Sequence, residues 1–203
     1  MNSKYWLEDD DEQEKSEPER PDESLHLKFL KTRTIIVSGV IDKKLADQVM
    51  KQLLLLDADA TEPIKVFINS PGGDADAGFA IFDMMRFVKS PIKTIAVGLT
   101  ASAGSIILLA ARKGQRYCLP HARILIHQPS SMFQGDATDV DIQARELLRL
   151  KERGNRLIAL ETGKSYEQVK KDTERDKWLY ADEALDYGLI DHVISNAKDL
   201  EAK

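Results

Sequence analysis

From Phe29 onward the chain alternates short β-branched runs with apolar stripes at helical spacing, and this alternation limits the possible folds more than any other feature. Thr34–Ser38 and Ile64–Asn69 read as strands, and the second is expected to break at Ser70-Pro71-Gly72-Gly73. Between them Leu45, Ala46, Val49, Met50, Leu53 and Leu54 share one helical face. Ala77, Ala80, Ile81, Met84 and Met85 mark the next helix. A third strand, residues 94–98, leads into a helix over residues 104–111. Residues 115–119, 123–127 and 192–194 read as further short strands. Successive strand–helix–strand units imply an α/β fold with parallel strands covered by helices.

The stretch from Thr94 to Ala111 carries no charge over eighteen residues, which is the length of a marginal membrane span. Its centre is small and polar (Gly98, Thr100, Ser102, Gly104 and Ser105), so it reads instead as a buried strand, a tight turn and a buried helix. No membrane association is expected. A long helix over about residues 136–161 is too charged for a core. Its partial stripe of Ile142, Leu147, Leu148, Leu150, Leu157 and Ile158 suits a helix that projects toward a partner. Ser165 and Gln168 have capping-box spacing, and Gly188 closes a helix that starts near Asp182.

The 203 residues divide into an acidic N-terminal tail (1–27), one domain (28–196) and a C-terminal tail (197–203). Residues 1–24 hold ten acids and three bases, so the tail carries −7 against a net charge of −5 for the whole chain, and the rest is about neutral. That composition predicts disorder and is not a secretory signal. No basic face argues for nucleic acid. The single cysteine, Cys118, excludes an internal disulfide and reads as a buried thiol.

Four histidines are available as bases, and His127 stands out because it ends the apolar run Ile124-Leu125-Ile126. Strand carboxyl ends in α/β sheets face the ligand crevice. Ser102 lies between a predicted strand and helix among small neighbours, in Thr100-Ala101-Ser102-Ala103-Gly104. It reads either as a helix N-cap or as a nucleophile whose oxyanion is met by free N–H groups at the helix start. Ser70-Pro71-Gly72-Gly73 reads as a plain turn or as a second source of such a donor; the phosphate-binding glycine patterns are absent. Asp172, Glu174 and Asp176 are equally placed as a third member by residue pattern alone. No cluster has metal-ligand spacing, and no metal is expected.

Taken in order, Phe67-Ile68-Asn69-Ser70-Pro71-Gly72-Gly73, Gly98-Leu99-Thr100-Ala101-Ser102-Ala103-Gly104, His127-Gln128-Pro129 and Thr173-Glu174-Arg175-Asp176 resemble the proteolytic subunit of Clp proteases. The resemblance covers about residues 30–194. It implies a crotonase-like ClpP fold of repeated β-α-β units with a projecting handle helix. It implies a serine endopeptidase with Ser102 as nucleophile, His127 as base, Asp176 as the orienting acid, and the N–H groups of Gly72 and Ala103 as oxyanion hole. It also implies two stacked seven-membered rings, built from this chain alone or mixed with a paralogous subunit. An AAA+ unfoldase would spend the ATP and feed unfolded polypeptide, so this chain needs no cofactor. The location implied is cytoplasmic. A catalytically weak ring subunit is the alternative. Lys65, in the strand that lines the family's ATPase docking cleft, and Ser130-Ser131 after the His-Gln-Pro motif depart from the family pattern.

Overall fold

The computed structural model describes residues 28–200; the acidic tail 1–27 and residues 201–203 lie outside the described residues. Strand β1 (Thr34–Ile41), helix α1 (Lys43–Asp59), β2 (Ile64–Gly73), α2 (Ala75–Phe87) and β3 (Ile92–Ala101) follow one another as the alternation predicts. Both helices begin at an aspartate. Asp42 and Asp74 accept the backbone N–H of Leu45 and Ala77 and so cap the free helix ends. Helix α3 (Ala103–Leu108), β4 (Arg116–Cys118) and β5 (Arg123–Ile126) come next. The long helix α4 (Ala137–Thr162), α5 (Tyr166–Asp172), β6 (Lys177–Tyr180), α6 (Ala181–Tyr187) and β7 (His192–Val193) complete the chain, with a 3-10 turn at Ala197–Leu200.

Strands β1, β2, β3, β4 and β7 lie side by side in parallel. β3 forks: its first half pairs with β4, and its end, Leu99–Ala101, pairs with β5. The fork brings a separate strand to the carboxyl end of β3, where Ser102 follows. Two expectations change. The strand does not break at Ser70. β2 runs on to Gly73 through an irregularity, and Gly72 and Gly73 rejoin the ladder opposite Val40 and Ile41. Gly72 has φ 94° and Gly73 φ 151°, so the bulge is absorbed where no side chain opposes it. The sheet is also not all parallel, because β6 runs antiparallel to β5.

The main core fills the space between the sheet and α1–α3. Ile35, Val37, Val66, Ile68, Leu53, Ile81, Ile107 and Leu108 are all at or near zero exposure. Burial of each such side chain is worth about 1.5–3 kcal/mol. Ala96 belongs to this core while its neighbour Ile95 joins a smaller cluster with Tyr117, Ile194 and Leu200, as the alternation of a strand requires. The uncharged stretch from residue 94 onward is thus β3 and α3 packed inside the domain. No helix among the described residues is long and apolar enough to cross a membrane.

Helix α4 spans about 39 Å at 1.5 Å per residue, and only Asn155 and Ile158 on it are buried. Its last turns are clamped to the domain. Glu161 takes Arg86 at 2.8 Å and the fully buried Arg116, which also donates to the carbonyls of Leu109, Ala111 and Glu161. The Ser165 hydroxyl caps α5 by accepting the Gln168 N–H, but Gln168 turns to Asp172 instead of closing the expected box.

Candidate active site

Three adjacent strand ends converge. β3 ends at Ala101, paired with Leu125 of β5, and the Ser102 N–H donates to the Leu125 carbonyl at 3.0 Å. β5 ends at Ile126, which pairs antiparallel with Lys177 at the start of β6. One step beyond that pair, on each strand, lie His127 and Asp176. The sheet alone therefore sets serine, histidine and aspartate beside one another.

Ser102 has φ 55° and ψ −119°, a backbone conformation that costs a non-glycine residue on the order of 1–3 kcal/mol. It occupies the N-cap position of α3, yet its side chain makes no capping bond. The Oγ instead points to His127 Nε2 at 2.9 Å, and His127 Nδ1 lies 3.0 Å from Asp176 Oδ1. Ser105 holds the turn from below, its hydroxyl donating to the Ser102 carbonyl at 2.6 Å. The strained turn thus spends its energy on aiming the hydroxyl rather than on capping the helix. Asp176 is 60% exposed, so in this chain its carboxylate acts on His127 more through hydrogen-bond direction than through unscreened charge.

The other two acids are otherwise engaged. Glu174 is held by Lys151 at 2.7 Å, which keeps its carboxyl below the usual range. Asp172 accepts from Tyr187, Gln168 and Lys177. Burial works to raise its pKa, but those donors together outweigh it and leave the carboxyl lowered.

Of the two expected main-chain donors, Ala103 stands beside Ser102 on the wall of the cleft. Gly72 does not fit its expected role. Its N–H donates to the Ser70 hydroxyl at 3.0 Å, and Ser70 in turn donates to the Gly39 carbonyl at 2.6 Å. The neighbouring Gly73 lines the cleft with Ser102, Ala103 and His127. The Gly72 N–H is thus occupied while Gly73 is the glycine that lines the cleft, a difference between neighbours that residue pattern does not reveal.

The cleft has a volume of about 810 Å³ and extends from Ser102 along the inner side of α4. Phe79, Ile106, Phe133, Leu147 and Leu150 give it apolar walls. Asn155 also lines it and escaped the sequence reading, since a lone Asn in a charged helix carries no signal. Among the described residues no group of three or more His, Cys, Asp or Glu is placed to hold a metal.

A Clp protease family model matches residues 19–197. The ATP-dependent Clp protease proteolytic subunit 2 of Treponema denticola is 51% identical over 192 residues, covering 94% of this chain and 96% of that protein. The protein of the same name from Treponema pallidum is 51% identical over 177 residues, covering 87% and 89%. A solved structure of a ClpP1 mutant from Listeria monocytogenes superposes with a TM-score of 0.81 at 46% identity, over 87% of this chain and 99% of that one. With a family match across most of the chain and a shared fold of β-α-β units, the chain belongs to the Clp protease family, as a protease subunit.

Proposed function

We propose that this chain is a serine endopeptidase that cleaves unfolded polypeptides and short peptides. The observation that carries this reading is the unbroken series from Ser102 Oγ to His127 Nε2 (2.9 Å) and from His127 Nδ1 to Asp176 Oδ1 (3.0 Å). Asp176 accepts a hydrogen bond from Nδ1–H and so holds the proton on that nitrogen, which leaves the Nε2 lone pair facing the serine hydroxyl. Ser102 attacks the peptide carbonyl, and its proton passes to Nε2. The oxyanion is met by the N–H of Ala103 and by that of Gly73, which takes the place first given to Gly72. Collapse of the tetrahedral species expels the amine, which takes the proton from His127. Water then attacks the acyl group on Ser102, activated by the same imidazole, and releases the acid.

The assembly that suits this chain is a pair of stacked heptameric rings. Apolar side chains stand exposed on α4 (Ile142, Leu148, Leu160) and on the β1, α1 and α2 side (Val40, Leu55, Phe87), which favours burial against other subunits. An AAA+ unfoldase in the cytoplasm supplies substrate and consumes the ATP; the peptidase chain uses no cofactor.

Ser102→Ala should abolish hydrolysis of a fluorogenic peptide and labelling by a fluorophosphonate, with the oligomeric mass unchanged. A fully active Ser102→Ala protein, or native protein that takes up no label at Ser102, overturns the proposal.

A further inference from the structure

Asn155 is 3% exposed on a helix whose other residues mostly face solvent. Its Oδ1 accepts from the Thr173 hydroxyl at 2.8 Å, while its Nδ2 is buried with no partner among the described residues. A leucine of similar length would fill this place without an unmet donor. What the amide adds is therefore its oxygen, and that oxygen holds Thr173. Thr173 is fully buried in the loop between α5 and β6. Its carbonyl accepts the Gln128 N–H at 2.6 Å. Gln128 follows His127, and Asp176 lies three residues after Thr173. One buried contact thus stands between α4 and both residues that must meet Ser102.

A second tie joins the same parts, the Lys151–Glu174 pair at 2.7 Å, but the Glu174 side chain is 58% exposed. Exposed pairs of this kind hold geometry weakly. The buried Asn155–Thr173 bond is the stiffer of the two.

We propose that Asn155 is a positioning residue for peptide cleavage. Through Thr173 it fixes the approach of His127 and Asp176 to Ser102. The inference rests on the catalytic reading of that triad. The fold does not depend on the contact, because the Thr173 hydroxyl also lies 2.9 Å from the Val169 carbonyl and keeps that acceptor when Asn155 is lost. Loss of the amide frees the loop without leaving Thr173 unpaired.

The test uses the full-length assembled protein and four variants: Asn155→Leu, Thr173→Val, Thr173→Ser, and Asn155→Leu combined with Thr173→Val. For a short fluorogenic peptide, Asn155→Leu and Thr173→Val should lower kcat by about 10- to 100-fold, as a misplacement of up to an ångström does, with KM nearly unchanged. The rate of fluorophosphonate labelling should fall in step. Thr173→Ser keeps the hydroxyl and should restore the rate. The double variant should be no worse than Thr173→Val alone, which already removes the Asn155 bond along with the hydroxyl's contact to the Val169 carbonyl. Wild-type kcat in Asn155→Leu, a loss confined to KM, or additive losses in the double variant would overturn the inference. If Asn155→Leu does not assemble, the contrast between Thr173→Val and Thr173→Ser decides. Ser102→Ala, run alongside, separates the two levels: activity there sinks the triad itself, whereas a dead Ser102→Ala with unaffected Asn155 variants sinks only the positioning role.

Discussion

Gly72→Ala should disable the site while leaving most of the fold intact. A Cβ at residue 72 would lie 2.6 Å from Ser102 Cβ, 2.8 Å from the Ala101 carbonyl oxygen and 3.2 Å from the Ala103 nitrogen. Ordinary contact begins near 3.4 Å, so Ser102 or the bulge must move by about 0.8 Å. A shift of that size at a reacting atom costs about 100-fold in rate. The backbone adds its own penalty, since φ is +94°, where a side chain costs roughly 1–2 kcal/mol. For a chain of this length that lowers Tm by about 2–8 °C. Gly114→Ala is the control. Its φ is +87°, and an added Cβ meets nothing within 4 Å, so it carries the backbone penalty without the collision. Peptide hydrolysis, fluorophosphonate labelling and thermal unfolding of the three proteins separate the effects. Gly72→Ala should lose more stability than Gly114→Ala, because the collision adds to the shared backbone penalty, and only Gly72→Ala should lose kcat. Gly72→Ala with kcat within twofold of wild type, or Gly114→Ala equally inactive, would refute the reasoning.

Arg116→Met should destabilise the chain by about 3–5 kcal/mol in urea unfolding, because it strips a fully buried guanidinium from Glu161 and three carbonyls; a loss below about 1 kcal/mol would show that the clamp on α4 is dispensable. Burial pushes the Cys118 thiol up to about 11, so iodoacetamide at pH 8 should leave it unmodified until urea is added, and fast labelling of native protein would contradict this. Asp172 is held below the usual carboxylate range in the fold, so as pH falls the unfolded chain takes up its proton first. Its stabilisation is complete above about pH 4 and is lost progressively below that. Wild type should therefore lose stability more steeply below about pH 4 than Asp172→Asn, and equal slopes would argue against a lowered carboxyl.

The framework β1–α1–β2–α2–β3–α3 was legible because each strand is a buried β-branched run and each helix keeps one apolar face. β6 was not. It is four residues long, follows a polar run, and is defined by pairing with β5, a partner some fifty residues earlier in the chain. Its absence from the sequence reading hid the reason why His127 and Asp176 meet. Ser70-Pro71-Gly72-Gly73 looked like a break because proline and glycine end most strands, whereas here they make a bulge inside one. At the site, small neighbours exposed Ser102 and a strand end exposed His127. Choosing Asp176 over Asp172 and Glu174 took the family resemblance. The geometry supplies the physical reason: Tyr187, Gln168 and Lys177 claim one acid and Lys151 the other.

The rung that joins Ile126 to Lys177 also makes the intervening chain an excursion that departs from the sheet and returns to its starting point. Lengthening such a detour costs little, since closure entropy grows only logarithmically with its length. Slipping the rung by a single residue would leave the His127 and Asp176 side chains on opposite faces. Evolution is therefore free to redesign the projecting arm, and with it the company this subunit keeps, while a one-residue insertion inside either short strand would silence the chemistry outright.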